Sequence, residues 1–177
     1  MIRSKWTDRK FTFDFPEGWM NNILERLRGT PIRLNTMTFK MSEAAAEVKP
    51  ENRWSIKENI GHLSDLEDLH EARIDDFLAG LSDLRPADMT NARTHGANHN
   101  ARTIQELLAE FAQKRVQFIS RLEKLDDQTL LRKAMHPRLK VLMRPVDVAF
   151  FTAEHDDHHL ADMRQVILQF PDIGSAR

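Results

Sequence analysis

Apolar residues recur at helical spacing in four long stretches, separated by polar or proline-containing segments. Before the first of them, residues 1–16 alternate charge with Phe11, Phe13 and Phe15 until Pro16-Glu17-Gly18 breaks the run. This predicts an extended arm whose rings pack down. From Trp19, the positions Ile23, Leu27, Leu34, Met37 and Met41 keep the period of a helix, and Gly29-Thr30-Pro31 is expected to kink or interrupt it. After the loop Lys49-Pro50-Glu51-Asn52, Ser55 and Glu58 form a capping box that starts a second helix running to about Ala79.

The polar stretch from Gly80 to Arg102 is too long for a tight turn and suggests a crossover between distant helix ends. Thr103 and Glu106 repeat the capping box, and Ile104, Leu107, Leu108, Phe111, Phe118, Ile119 and Leu122 carry a third helix to near Leu125. Residues 126–144, with His136-Pro137, show no sustained period and are expected to be irregular. Pro145 suits the first position of a fourth helix, where its missing N–H costs nothing, and this helix should reach about Gln169 before Pro171 and Gly174 stop it. The expectation is an all-α chain forming one domain over residues 1–177.

Composition narrows the functions. With 26 Lys and Arg against 27 Asp and Glu, the net charge of -1 gives no field that would attract polyanions, so nucleic acid is not expected as a partner. No apolar run approaches the roughly 18 residues that span a bilayer, and Met1 to Trp6 lack an apolar signal core. A soluble, cytoplasmic protein is expected. The absence of Cys removes disulfides and thiolate ligands, so any metal must be held by His and carboxylate, and any thiol chemistry needs a thiol from outside.

The densest set of potential ligands is Glu154-His155-Asp156-Asp157-His158-His159-Leu160-Ala161-Asp162 in the fourth helix. His155 and His159 lie within roughly 40° of each other around the helix, on the face of Val148, Phe151, Thr152, Asp162 and Val166. Two imidazoles one turn apart converge on a common point, the H-x-x-x-H spacing of many zinc sites. On the second helix His62 shares its stripe with Leu66 and Leu69, whereas Asp65, Glu67 and Asp68 fall aside. Three buried neutral imidazoles are satisfied together by one cation. Each of them could instead be an ordinary core histidine bonded to a backbone carbonyl or Asp. His158, about 60° from His155, reads as exposed or as a group supporting a ligand from behind. His95 and His99 repeat the four-residue spacing around Gly96 and Asn98 and are read as loop residues. Glu67-x-x-His70 imitates half of a di-iron motif but is expected to face away from the His62 stripe, with no second copy, which speaks against a ferritin-like site.

Trp54-Ser55-Ile56-Lys57-Glu58 followed by Gly61-His62-Leu63, then His136-Pro137, then Met143-Arg144-Pro145-Val146-Asp147 leading into His155 to Leu160, resembles the DinB/YfiT-like superfamily, in particular its DinB-like branch. The resemblance runs from Trp19 through Ile167. It implies a four-helix bundle with a long crossover, a Zn²⁺ or Ni²⁺ ion bound by His62, His155 and His159 near one end, and a homodimer. It also implies a small-molecule substrate, since members of known activity include transferases and isomerases using thiols such as bacillithiol or mycothiol. Two departures touch the expected pocket rim: Asn59 where His is common, and Lys140 where Gly is common.

Three neutral ligands leave a coordination position open, as in catalytic zinc sites. A metal-dependent transferase or hydrolase that activates thiol or water is therefore expected, with Asp162 or Asp156 orienting a ligand imidazole. The rivals are a non-catalytic metal-binding or interaction module on the same bundle, and a helical dimer whose histidines only pack the core.

Overall fold

Two of the long helices begin where a side chain can satisfy their free N–H groups. Ser55 Oγ accepts from the Glu58 N–H at 3.0 Å while the Glu58 carboxylate accepts from the Ser55 N–H at 2.8 Å, and Thr103 and Glu106 repeat the reciprocal pair. The computed structural model describes residues 4–51 and 53–170. In chain order these form α1 (Met20–Thr38), α2 (Glu43–Ala46), α3 (Ile56–Leu78), α4 (Ala92–Gly96), α5 (Ile104–Glu123), α6 (Asp127–Leu130), strands β1 (Ala134–Met135) and β2 (Leu142–Met143), and α7 (Pro145–Gln169). Pro171 and Gly174, the expected stop signals of α7, lie outside the described residues.

The four long helices form a bundle in which α1 and α3 each pack against both α5 and α7. Side-chain pairs give the directions. Arg26 meets Glu154 and Arg33 meets Asp157, so α1 and α7 run parallel. Glu67 meets Arg115 and Glu71 meets Arg121, so α3 and α5 also run parallel. His62 lies beside His159 and His70 beside Thr152, so α3 opposes α7. The order is up, down, down, up. Because α3 and α5 are parallel neighbours, residues 79–103 must return along the whole bundle, about 35 Å at 1.5 Å per helical residue. This is the long crossover.

α1 differs from expectation: it runs unbroken from Met20 to Thr38 with Pro31 inside. Proline there forfeits one backbone bond, while Leu27, Thr30 and Leu34 around it are fully buried against the neighbouring helices. Tertiary packing outweighs that loss.

Residues 126–144, expected to be irregular, contain α6 and an antiparallel hairpin pairing Ala134 with Met143 and Met135 with Leu142. Strands of two residues leave no period to read. The hairpin is clamped to the start of the crossover, where Met135 donates its N–H to the Ser82 carbonyl at 2.8 Å and accepts from the Leu84 N–H at 3.0 Å. That clamp fixes His136-Pro137-Arg138 beside the bundle. In the N-terminal arm, Trp6 lies in a short 3-10 turn, and with Phe11 and Phe13 it packs onto the cluster of Phe77, Leu84, Met143, Val148 and Phe151. The arm thus places an indole next to α7.

Candidate metal centre

His62 on α3 and His155 and His159 on α7 are buried, and one ring nitrogen from each lies within 4.8 Å of the other two. The Nε2 atoms of His155 and His159 are 3.2 Å apart. Tetrahedral ligands each about 2.05 Å from a zinc ion stand about 3.3 Å from one another, so this separation suits a shared ion.

The outer nitrogens decide which lone pairs face inward. Asn59 donates its amide to the Ser55 carbonyl at 2.8 Å, which fixes its orientation, and its Oδ1 stands 2.8 Å from His159 Nδ1. His159 must therefore carry its proton on Nδ1, leaving a lone pair on Nε2. The Thr94 hydroxyl donates to Asp65 Oδ2 at 2.9 Å and so accepts from His62 Nδ1 at 3.0 Å. The same logic leaves a lone pair on His62 Nε2. Two inward lone pairs beside a third imidazole repel unless a cation or proton joins them, so the donor set fits a divalent ion. His155 Nδ1 is buried without a hydrogen-bond partner among the described residues, and aromatic packing sets its ring, with Trp6 edge-on at 5.0 Å.

Burial lowers the pKa of His62 to about 4, against the opposing charge of Asp65 and with help from His99 and His95. Burial, then the neighbouring imidazoles His159 and His62, hold His155 well below its ordinary value. Both rings are neutral near pH 7, the state in which imidazole binds metal.

Several expectations need correction. Asp156 does not orient a ligand histidine: it is fully buried, accepts from Thr30 Oγ1 at 2.7 Å and forms an ion pair with Arg115. Asp162 stands beside His158, with Oδ2 3.5 Å from its Nε2, and His158 is half-buried with its ring 5.6 Å from Trp6. Glu67 and His70 do not face away but are buried in the bundle, Glu67 paired with Arg115 at 2.7 Å. His99 is no free loop residue, because it is buried and its Nε2 lies 2.9 Å from Asp65. It packs so closely on α3 that a Cβ on Gly61 would stand 2.2 Å from its Cγ. Asn59 is buried behind His159 and lines the smaller of two cavities that meet there. Lys140 has φ 54° in the hairpin turn, a left-handed conformation that favours glycine, and does not line the larger cavity described next.

A cavity of about 520 Å³ opens on all three histidines, and the His62, Leu66 and Leu69 stripe faces it. Trp54 closes one side, its ring 4.6 Å from His62 and stacked at 5.9 Å on His159. A smaller cavity of about 410 Å³ meets the site from the far side of Trp6 and His158. Sequence reasoning missed Asn59, Thr94 and Asp65 as supports. The only local signal was the polarity of Asn59 three residues before His62, on a helix face otherwise apolar.

Fold and site together define a class: up-down-down-up helical bundles with three inward histidines from two antiparallel helices. The chain matches the DinB superfamily over residues 21–163 and belongs to it. Among solved structures it is similar to YfiT from Bacillus subtilis, described as a probable metal-dependent hydrolase with an unusual four-helix bundle topology. That similarity has a TM-score of 0.75 and 18% identity over 92% of this chain and 94% of the other. It is also similar to a mycothiol-dependent maleylpyruvate isomerase, with a TM-score of 0.66 and 10% identity over 88% of this chain and 68% of the other. At these identities the likeness is one of fold. No curated protein matches the chain. Among the described residues no helix is long and apolar enough to cross a membrane.

Proposed function

We propose that His62, His155 and His159 hold one divalent ion, zinc or nickel, and that the protein is a metal-dependent transferase or hydrolase acting on a small molecule. The observation that carries this reading is the convergence of the three rings, with Asn59 and Thr94 holding protons on the outer nitrogens of two of them. A divalent ion kept by three neutral ligands retains an open position and its full charge, and supplies Lewis acidity that brings the pKa of a water or thiol toward about 7 or below.

The chain's own residues do the rest. Asn59 and the Thr94–Asp65 pair keep two imidazoles in the ligating tautomer and orientation. Trp6, Trp54 and Phe151 wall the cavity with aromatic surface. The cavity opening on the three rings favours an enzyme over a module in which metal merely braces the helices. With no cysteine in the chain, a thiol nucleophile must enter from solution. The hydrolytic description of YfiT supports the water route and the mycothiol dependence of the isomerase supports the thiol route.

The test is elemental analysis of untagged protein together with assays of ester hydrolysis and of low-molecular-weight thiol consumption with electrophiles. Stoichiometric metal is expected, lost with activity in His62→Ala and His159→Ala. Full activity in the metal-stripped protein contradicts the reading.

A further inference from the structure

The cavity has a second wall that the three histidines do not use. Arg73, on α3, and His136 and Arg138, in the hairpin, all line it. His136 is 3% exposed, and its Nδ1 accepts the Leu139 N–H at 3.2 Å, so its proton sits on Nε2. That Nε2–H is buried and has no partner among the described residues, and neither has Arg138 Nη2. Two buried donors without acceptors on one cavity wall are uncommon in a folded protein and each asks for an explanation.

Charge points the same way. Arg73 is 3% exposed and spends its Nε and Nη2 on the Arg85 carbonyl at 3.2 Å. Among the described residues no carboxylate forms an ion pair with Arg73 or Arg138, because the nearby Asp76 is paired with Arg85. Burial lowers the pKa of Arg73 to about 10, with Asp76 opposing and the charge of Arg138 adding to it. Both remain charged at pH 7. The other charged residue of the cavity lining, Asp88, is exposed and already accepts the Thr90 and Ala92 N–H groups.

Arg138 lies over the rings of Phe151 at 5.6 Å and Trp6 at 5.8 Å. Aromatic contact on its faces leaves the N–H edge for a planar acceptor, the geometry of a bidentate carboxylate. Trp6 in turn touches His155, so this wall and the three histidines are one indole apart. Leu66, Leu69 and Met89 add apolar surface to the lining.

We propose that Arg73, His136 and Arg138 form a carboxylate subsite, so that the small molecule handled at the three-histidine centre is an organic acid with an apolar body. This deepens the reading of the centre as an enzyme site and rests on it for the word substrate, but not for binding.

Phenylacetate is a suitable probe, with its neutral isostere phenylacetamide as control. Both are titrated calorimetrically into the full-length protein at pH 7 in low chloride, as purified and after chelation. Saturable binding of the acid is expected, about tenfold or more tighter than of the amide. It should weaken by a similar factor in Arg138→Gln, recover in part in Arg138→Lys, and persist after chelation. His136→Phe, checked by thermal melting alongside wild type, should weaken the acid but not the amide. Absent binding, equal binding of acid and amide, or an Arg138→Gln protein that binds the acid as wild type does, overturns the subsite. So does inorganic phosphate displacing phenylacetate at lower concentration than acetate does. Discrimination that vanishes on chelation places the carboxylate on the ion and overturns the subsite while leaving the metal centre standing. Retained discrimination in a protein that never contained metal supports the subsite and overturns the metal reading.

Discussion

Asn59 Oδ1 stands 2.8 Å from His159 Nδ1, joining α3 to α7 behind the candidate metal centre. Because the Asn59 amide is spent on the Ser55 carbonyl, the contact has one polarity, and it aims the His159 lone pair inward. Asn59→Leu should therefore lower metal affinity by about 10–100-fold with the helices intact, as losses behind a ligand do elsewhere. Competition titration with a chromophoric chelator measures it. Unchanged affinity would show that His159 needs no support.

Thr94→Val tests the equivalent support of His62. It removes the hydroxyl that relays His62 to Asp65, and metal affinity should fall by a similar factor of about 10–100. Thr94→Ser, which keeps the hydroxyl, should bind nearly as wild type. Equal loss in both variants would assign the effect to packing of the crossover.

Gly61→Ala should destabilise the protein, against the general rule that alanine improves a helix interior. The added Cβ would lie 2.2 Å from the His99 ring, so His99 must leave α3 and abandon Asp65. A cost of about 1–3 kcal/mol is expected by denaturant unfolding. A gain in stability would mean that the crossover yields without cost.

Arg115→Met should cost about 3–5 kcal/mol, since it strands the Glu67 and Asp156 carboxylates in the core. Burial already pushes the Glu67 pKa up, with Arg115 opposing. The triple variant Arg115→Met with Glu67→Gln and Asp156→Asn should recover part of the loss, and a single variant as stable as wild type would be inconsistent with a tightly desolvated triad.

Acid should weaken the fold at mild pH. Burial, reinforced by Arg73 and Arg138, lowers the His136 pKa to about 4, and burial with Arg73 and Arg115 holds His70 well below its ordinary value. In the unfolded chain both titrate near 6.5, so below that pH the unfolded state binds more protons. Stability present above about pH 6.5 is lost as pH falls toward 4. Melting temperatures taken across this range should decline, and a flat profile would mean that both rings accept protons in the folded state.

The helix starts at Ser55, Thr103 and Pro145 were legible because capping is local: the signal and the consequence lie within four residues. The convergence of His155 with His159 followed from helical phase for the same reason. What could not be read depends on the crossover and the hairpin. Thr94 and His99 reach α3 only because residues 79–103 fold back along the bundle, and the strands carrying His136 and Arg138 are too short to show alternation. Arg115 resembles a solvent-facing residue of an amphipathic helix until Glu67 and Asp156, from two other helices, are placed against it. Pro31 misled for the converse reason, a local rule overruled by burial on both sides of it.

The most direct measurement is the anomalous difference density of a crystal of untagged protein, collected at the absorption edges of zinc and nickel. One strong peak is expected, about 2.0–2.2 Å from a ring nitrogen of each of His62, His155 and His159. Three imidazoles hydrogen-bonded to one another or to water, with no peak between them, would contradict the metal centre.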